Sequence, residues 1–171
     1  MNVAGLFAGI GGIELGLEQA GHETLLLCEN DPSAVAVLKQ RFKGVAFHDD
    51  VTTLQTLPAN TELVTAGFPC QDLSQAGRTQ GIGGAQSGLV GHLFALLRRH
   101  DVPWVMIENV PFMLSLDGGS AMEYLVTELE QLGYNWAYRV VDTKAFGLPQ
   151  RRRRVYLLAA RDEQPEGLLF A

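Results

Sequence analysis

Only two cysteines, Cys28 and Cys70, occur in the 171 residues, too few and too far apart for a disulfide framework. A reduced, cytoplasmic setting is expected. No apolar run approaches the ~18 to 20 residues of a membrane span, and the N-terminus carries no charged segment ahead of a signal-type apolar stretch. Basic residues are in the minority, 13 Lys and Arg against 19 Asp and Glu, for a net charge of −6. Phosphate affinity comes from Lys and Arg, so a free-standing nucleic-acid binder is not expected. The four histidines, His22, His48, His92 and His100, show no ligand spacing, and no metal is expected. Repeats and linkers are absent too. The whole span 1–171 reads as one domain, able to bury roughly two thirds of its unfolded surface.

What is present alternates between strand and helix. Strands are expected at Asn2 to Ala8, His22 to Glu29, Val45 to His48, Leu63 to Ala66, Val102 to Ile107, Trp136 to Val141 and Arg154 to Ala159. Helices are expected at Gly12 to Gln19, from Pro32 through Arg41, at Leu89 to Arg99 and at Ala121 to Leu132. Such alternation predicts an α/β fold, a mainly parallel sheet with helices on both faces. The run Leu25-Leu26-Leu27 marks a strand covered on both sides. Asp31 before Pro32 supplies an N-cap and a preset first helical residue. One long loop, 72–87, is rich in Gly, Gln and Ser and predicts a flexible segment.

The first strand runs into Phe7-Ala8-Gly9-Ile10-Gly11-Gly12. A dinucleotide fingerprint wants a third glycine at the sixth position of this pattern, where Glu14 stands instead. Twenty positions on from Gly9, Glu29 ends the second strand, where a carboxylate can hold both hydroxyls of a ribose. A glycine turn with such an acid suits a nucleoside without a pyrophosphate, as in S-adenosylmethionine. On spacing alone, a ligand-free strand-to-helix turn and a solvated strand end at Glu29 remain open.

Two further strand ends carry reactive groups. Gly67-Phe68-Pro69-Cys70-Gln71 presents a cysteine on a glycine- and proline-bounded turn, and Glu108-Asn109-Val110 follows the next apolar run. In an open parallel sheet the carboxyl ends of strands line one crevice, so Cys70 and Glu108 can meet there. A cysteine without a metal or disulfide partner suits nucleophilic catalysis. Taken singly, Cys70 also reads as an inert turn cysteine, Glu108 as a cap, and the run Arg151 to Arg154 as a solvated face. Cys28, within the apolar second strand, reads as core.

In order and spacing, Leu6 to Gly12, Gly67 to Gln71, Glu108 to Val110 and Gln150 to Arg154 resemble the catalytic core of the DNA cytosine-5 methyltransferases. The resemblance covers Leu6 to about Ala160. It implies a Rossmann-like, S-adenosylmethionine-dependent methyltransferase fold. It further implies that Cys70 is the nucleophile toward cytosine carbon 6 and that Glu108 pairs with ring nitrogen 3 and the exocyclic amino group. Arg154 would then contact the base oxygen, with Arg152 supporting the same pocket. For the cofactor it implies Phe7, Gly9, Asn30, Pro69 and Leu89 as contacts, Glu29 on the ribose and Asp50 at the adenine amino group. Gln71, Ser74 and Asn109 would face the nucleic acid, a double-stranded DNA with its target cytosine flipped out. The loop 72–87 would close over that base.

The sequence departs from the family pattern in places. Gly5 stands where an acidic or hydroxyl residue is common, Asn30 where a large apolar side chain stacks on adenine, and Gln86 where an arginine is frequent. After Ala160 the chain runs only to Ala171, whereas such enzymes continue into a target-recognition domain and two more motifs. The expectation is therefore the catalytic half of a longer or split DNA cytosine-5 methyltransferase, cytoplasmic, and nucleoid-associated if bacterial or phage. Two other readings stay open: a tRNA cytosine-5 methyltransferase with the same cysteine chemistry, and a non-catalytic S-adenosylmethionine-binding module. These residues do not separate a restriction-modification role from a phage or epigenetic one.

Overall fold

A computed structural model describes residues 1–69 and 88–170. Its elements follow the order β1 (Asn2–Leu6), α1 (Gly12–Gln19), β2 (Glu23–Cys28), α2 (Pro32–Arg41), β3 (Ala46–His48), β4 (Leu63–Ala66), α3 (Leu89–Arg99), β5 (Trp104–Asn109), α4 (Ser120–Gln131), β6 (Asn135–Asp142), β7 (Arg153–Ala160) and α5 (Pro165–Leu169). Short 3-10 turns at Pro111–Leu114, Leu116–Gly119 and Thr143–Phe146 were not expected from the sequence.

The strands form one sheet in the order β3-β2-β1-β4-β5-β7-β6. Pairings from β3 through β5 are parallel, and β7 runs antiparallel to both β5 and β6. From β1 the chain winds outward to β2 and β3, then returns to start β4 on the other side of β1. That reversal opens a crevice at the carboxyl ends of β1 and β4. The register sets Leu6 beside Ala66, so the segments that follow these residues emerge side by side.

Apolar spacing explains the layers. In α3 the buried Val90, Leu93, Phe94 and Leu97 fall on one helical stripe, and in α4 Ala121, Leu125 and Leu129 do the same. Both helices pack on a core that includes Ala4, Leu6, Val64, Ala66, Val105 and Ile107 from the central strands. Each such large aliphatic side chain contributes about 1.5–3 kcal/mol when fully buried. On the opposite face Leu27 meets Leu38 and Phe42 from α2 and its end, with Leu15 of α1 alongside. Asp31 caps α2 as the sequence predicts, its Oδ1 accepting from the Ala34 amide at 2.8 Å.

Several element ends move by one or two residues, and two of these shifts matter for the site. The first strand stops at Leu6, because Phe7 takes a φ of 55° and Gly9 one of 54°. The fifth strand runs on through Glu108 to Asn109, because β7 pairs Tyr156 with Glu108 and Val155 with Asn109. Glu108 is thus inside the strand and not beyond its end. Among the described residues no helix is long and apolar enough to cross a membrane.

Candidate active site

The turn after β1 is shaped by backbone conformations that ordinary side chains seldom adopt. Gly11, at φ 79°, admits no side chain, because a Cβ there would collide with the Phe42 ring. Gly9 has nothing within 4 Å of the corresponding position, which leaves open space for a close approach to its backbone. Phe7 has no such freedom, yet holds φ 55°; its ring packs edge-on against Phe68, centroids 6.0 Å apart.

Glu29 is no solvated strand end. Its Oε2 accepts from the Gly9 amide at 2.7 Å, and its Oε1 accepts from the amides of Asn30 at 2.9 Å and Asp31 at 2.8 Å. The carboxylate therefore pins the glycine turn to the end of β2. Beside it lies a cavity of about 190 Å³, lined by Phe7, Gly9, Glu29, Asn30, Pro69 and Leu89 among others. Six of the seven residues expected at the cofactor thus share one space. The seventh, Asp50, does not line it; its Oδ1 accepts from the Thr52 amide at 2.8 Å, and the neighbouring Val51 forms the wall. That backbone hydrogen bond, with the Thr52 side chain, holds the Asp50 carboxyl below its ordinary range.

Cys28 closes the same cavity from below. Burial first, and the nearby charges of Asp50, Glu29 and Asp49, push its thiol up to about 12. Such a thiol stays protonated at neutral pH and cannot serve as a nucleophile. It is buried, as the apolar run predicts.

Across the turn lies a second cavity, of about 700 Å³, whose walls include Glu108, Arg152, Tyr156 and Met106. Here Arg154 Nε approaches Glu108 Oε1 to 2.7 Å, and Arg152 Nη2 stands 3.8 Å from the same oxygen. Arg154 and Tyr156 alternate along β7 and so share one face, and Arg152, just ahead of the strand, reaches the same Glu108 oxygen. Glu108, Arg152 and Arg154, expected together from sequence, are together. Tyr156 was missed, although the alternation that groups the arginines also reaches it. Its phenol is pushed up by burial and then by the Glu108 charge, against the pull of Arg152 and Arg154. The two cavities share Phe7, Gly9 and Gly67 as a common wall.

Asn109 corrects an expectation. It is buried, 4% exposed, and does not face outward toward a nucleic acid. Its Nδ2 donates to the Phe68 carbonyl at 3.0 Å and its Oδ1 accepts from the Val110 amide at 2.8 Å. The side chain thereby ties β5 to the segment that follows β4. Cys70, Gln71, Ser74 and the loop 72–87 lie outside the described residues. Among the described residues no group of three or more His, Cys, Asp or Glu is placed to hold a metal ion.

Comparison with known proteins agrees with this geometry. The Type II methyltransferase M2.BsuMI of Bacillus subtilis (strain 168) is 55% identical over 175 residues, covering 100% of this chain and 45% of its own length. The Type II methyltransferase M.MspI of Moraxella sp is 33% identical, over 90% of this chain and 37% of its own. The chain therefore spans less than half the length of these relatives. Among solved structures, the S. pombe Dnmt2 methyltransferase superposes with a TM-score of 0.76 at 24% identity, over 96% of this chain and 52% of that one, which shows the Rossmann-like methyltransferase fold. A family model described as C-5 cytosine-specific DNA methylase matches residues 1–168, and the chain belongs to that family.

Proposed function

We propose that residues 1–171 form the catalytic and cofactor-binding domain of a longer or split enzyme that methylates carbon 5 of cytosine in DNA. The observation that carries this reading is the common wall: a cavity built around Glu29 and one lined by Glu108 and Arg152 meet at Phe7, Gly9 and Gly67. A methyl group held on one side can reach a base held on the other. The segment Gly67-Phe68-Pro69 leads from that wall directly to Cys70.

Methyltransferases of this family use S-adenosylmethionine. The residues fit such a group. Glu29 is the one carboxylate among the described residues that line the first cavity, its orientation set by three backbone amides, while Phe7, Val51 and Leu89 supply apolar walls. When bound, the cofactor supplies an electrophilic methyl group.

The remaining steps belong to the chain and the base. Cytosine carbon 5 is a weak nucleophile until a thiolate, assigned to Cys70, adds to carbon 6 and moves electron density onto carbon 5; once carbon 5 carries the methyl group, loss of its proton to a base restores the ring double bond and expels the thiolate. Glu108 pairs with ring nitrogen 3 and the amino group, offsetting charge as the thiolate adds. Arg154 fixes the Glu108 carboxyl and faces the base oxygen, and Arg152 lends positive potential to the same pocket. Gln71 and Ser74 are assigned to the DNA backbone and the segment 72–87 to closing over the flipped cytosine. A net charge of −6 leaves most of the DNA grip to a recognition half supplied by the remainder of the enzyme or a second subunit, acting in the cytoplasm.

The test is covalent trapping on duplex DNA carrying 5-fluorocytosine, with a downstream recognition segment supplied in trans. Trapping should require Cys70 and survive Cys28→Ala. A Cys70→Ala variant that still traps would exclude the mechanism, and equal trapping on tRNA would redirect the substrate.

A further inference from the structure

Glu14, which occupies the place of the missing third glycine, is 1% exposed and turned from α1 onto the sheet. Beneath it lie Gly5 of β1 and Thr65 of β4, which are register partners. Thr65 Oγ1 donates to Glu14 Oε1 at 2.6 Å, and Oε2 is buried with no hydrogen-bond partner among the described residues. The carboxyl has room there because residue 5 has no side chain. A Cβ on Gly5 would stand 2.5 Å from Glu14 Oε1 and 2.9 Å from its Cδ.

An apolar side chain would fill this space without the desolvation cost that a buried carboxyl carries. What an apolar side chain cannot do is choose a register, since apolar packing of a helix on a sheet is non-directional. One hydrogen bond between α1 and β4 does choose. The two elements it joins are the ones that matter: α1 begins at the end of the turn 7–11, and β4 leads through Gly67 toward Cys70.

We propose that Glu14 is a positioning residue. Its carboxyl, seated in the side-chain space of Gly5 and held by Thr65, fixes the spacing between the cofactor turn and the strand that delivers the nucleophile. The roles of that turn and of Cys70 are those of the proposed function, on which this assignment rests. Burial raises the Glu14 carboxyl above its ordinary range, with the Thr65 hydroxyl pulling the other way.

Residue-resolved hydrogen exchange on chain 1–171 tests it without cofactor or substrate. The amides to watch are Gly11, bonded to the Ala8 carbonyl, and Gly67, bonded to that of Leu6. Glu14→Ala and Thr65→Val should speed exchange at both by about tenfold relative to any change in β7 and α4, as expected for loss of one buried hydrogen bond. Glu14→Gln, which can accept the same bond, should restore the native rates. Gly5→Ser should disturb the same amides alone, and much less in combination with Glu14→Ala, where the space has been vacated. Uniform acceleration across the chain, no acceleration, or an undiminished Gly5→Ser effect in the double variant would overturn the assignment. In a parallel titration with S-adenosylhomocysteine, Glu14→Ala should weaken binding about fivefold or more, in the usual range of coupling between sites. Failure of the unsubstituted chain to bind it would count against the cofactor reading, while the exchange pattern would still decide the role of Glu14.

Discussion

The Gly9 amide donates to Glu29 Oε2 at 2.7 Å, so the acid expected to hold a ribose also holds the turn that borders the cofactor space. Removing it should therefore do two things. Glu29→Ala should weaken S-adenosylhomocysteine binding by more than about tenfold, and also lower stability by about 1–3 kcal/mol as the amides it serves lose their acceptor. Glu29→Gln should recover part of the stability and little of the affinity. Calorimetry and thermal melts on the same samples separate the effects, and an affinity equal to that of the unsubstituted chain would remove the ribose assignment.

Arg154 and Arg152 approach one oxygen of Glu108 at unequal distances, 2.7 and 3.8 Å, and the Arg152 side chain is half exposed. Arg154→Lys keeps a charge but not the guanidinium geometry, and should slow methyl transfer by about a hundredfold in an assembled enzyme. Arg152→Lys should cost less than about tenfold, since a half-exposed pair is weakly coupled. Tritiated methyl incorporation reads both, and the reverse ranking would misplace the arginines.

Asn109→Ala leaves the Phe68 carbonyl and the Val110 amide without their buried partner. A loss of about 1–3 kcal/mol in stability is expected, together with slower trapping of 5-fluorocytosine DNA because the segment ahead of Cys70 loosens. Salt dependence of DNA binding should be unchanged in the assembled enzyme, because Asn109 faces inward. A shallower salt slope would return it to the nucleic-acid surface.

The raised carboxyl of Glu14 gives a pH signature. A group with a higher pKa in the fold than in the unfolded chain contributes stability in full below its unfolded value, near 4.5, and that contribution falls away as pH rises through the folded value. The neighbouring Glu18 charge acts in the same direction as burial. Stability measured by urea titration should thus fall with rising pH above about 4.5 in the native chain, relative to Glu14→Gln. Parallel curves for the two proteins would mean that the acid is not held uncharged.

Much of the architecture was legible in the chain. Leu25-Leu26-Leu27 announced a doubly covered strand, Asp31-Pro32 a helix start, and the glycines after the first strand a tight strand-to-helix turn, because each signal is written in adjacent residues or in a fixed spacing. What stayed hidden depends on distant partners. Asn109 points inward because β5 is prolonged by pairing with β7, a contact between residues 109 and 155 with no local sign. Phe7 takes a conformation that its side chain does not favour, and the Phe68 ring that packs against it comes from the segment after β4. Glu14 showed in the sequence only as an absent glycine; its purpose depends on Gly5 and Thr65, which the sheet brings beneath it.

The antiparallel course of β7 has a practical consequence for anyone rebuilding this protein. Because β7 runs back against β5, its first residues Arg153 and Arg154, with Arg152 just ahead of them, arrive beside Glu108, at the same edge of the sheet as the turns after β1, β2 and β4. Glu29, Glu108 and Arg154 are collected along one rim. The connections at residues 20–22, 100–103, 132–134 and 161–164 all lie along the other. Fluorophores, affinity handles or a grafted DNA-reading module belong at 20–22 or 162–164, away from that rim, and not at 100–103 or 132–134, where Val102 and Tyr134 are buried and hydrogen-bonded to each other.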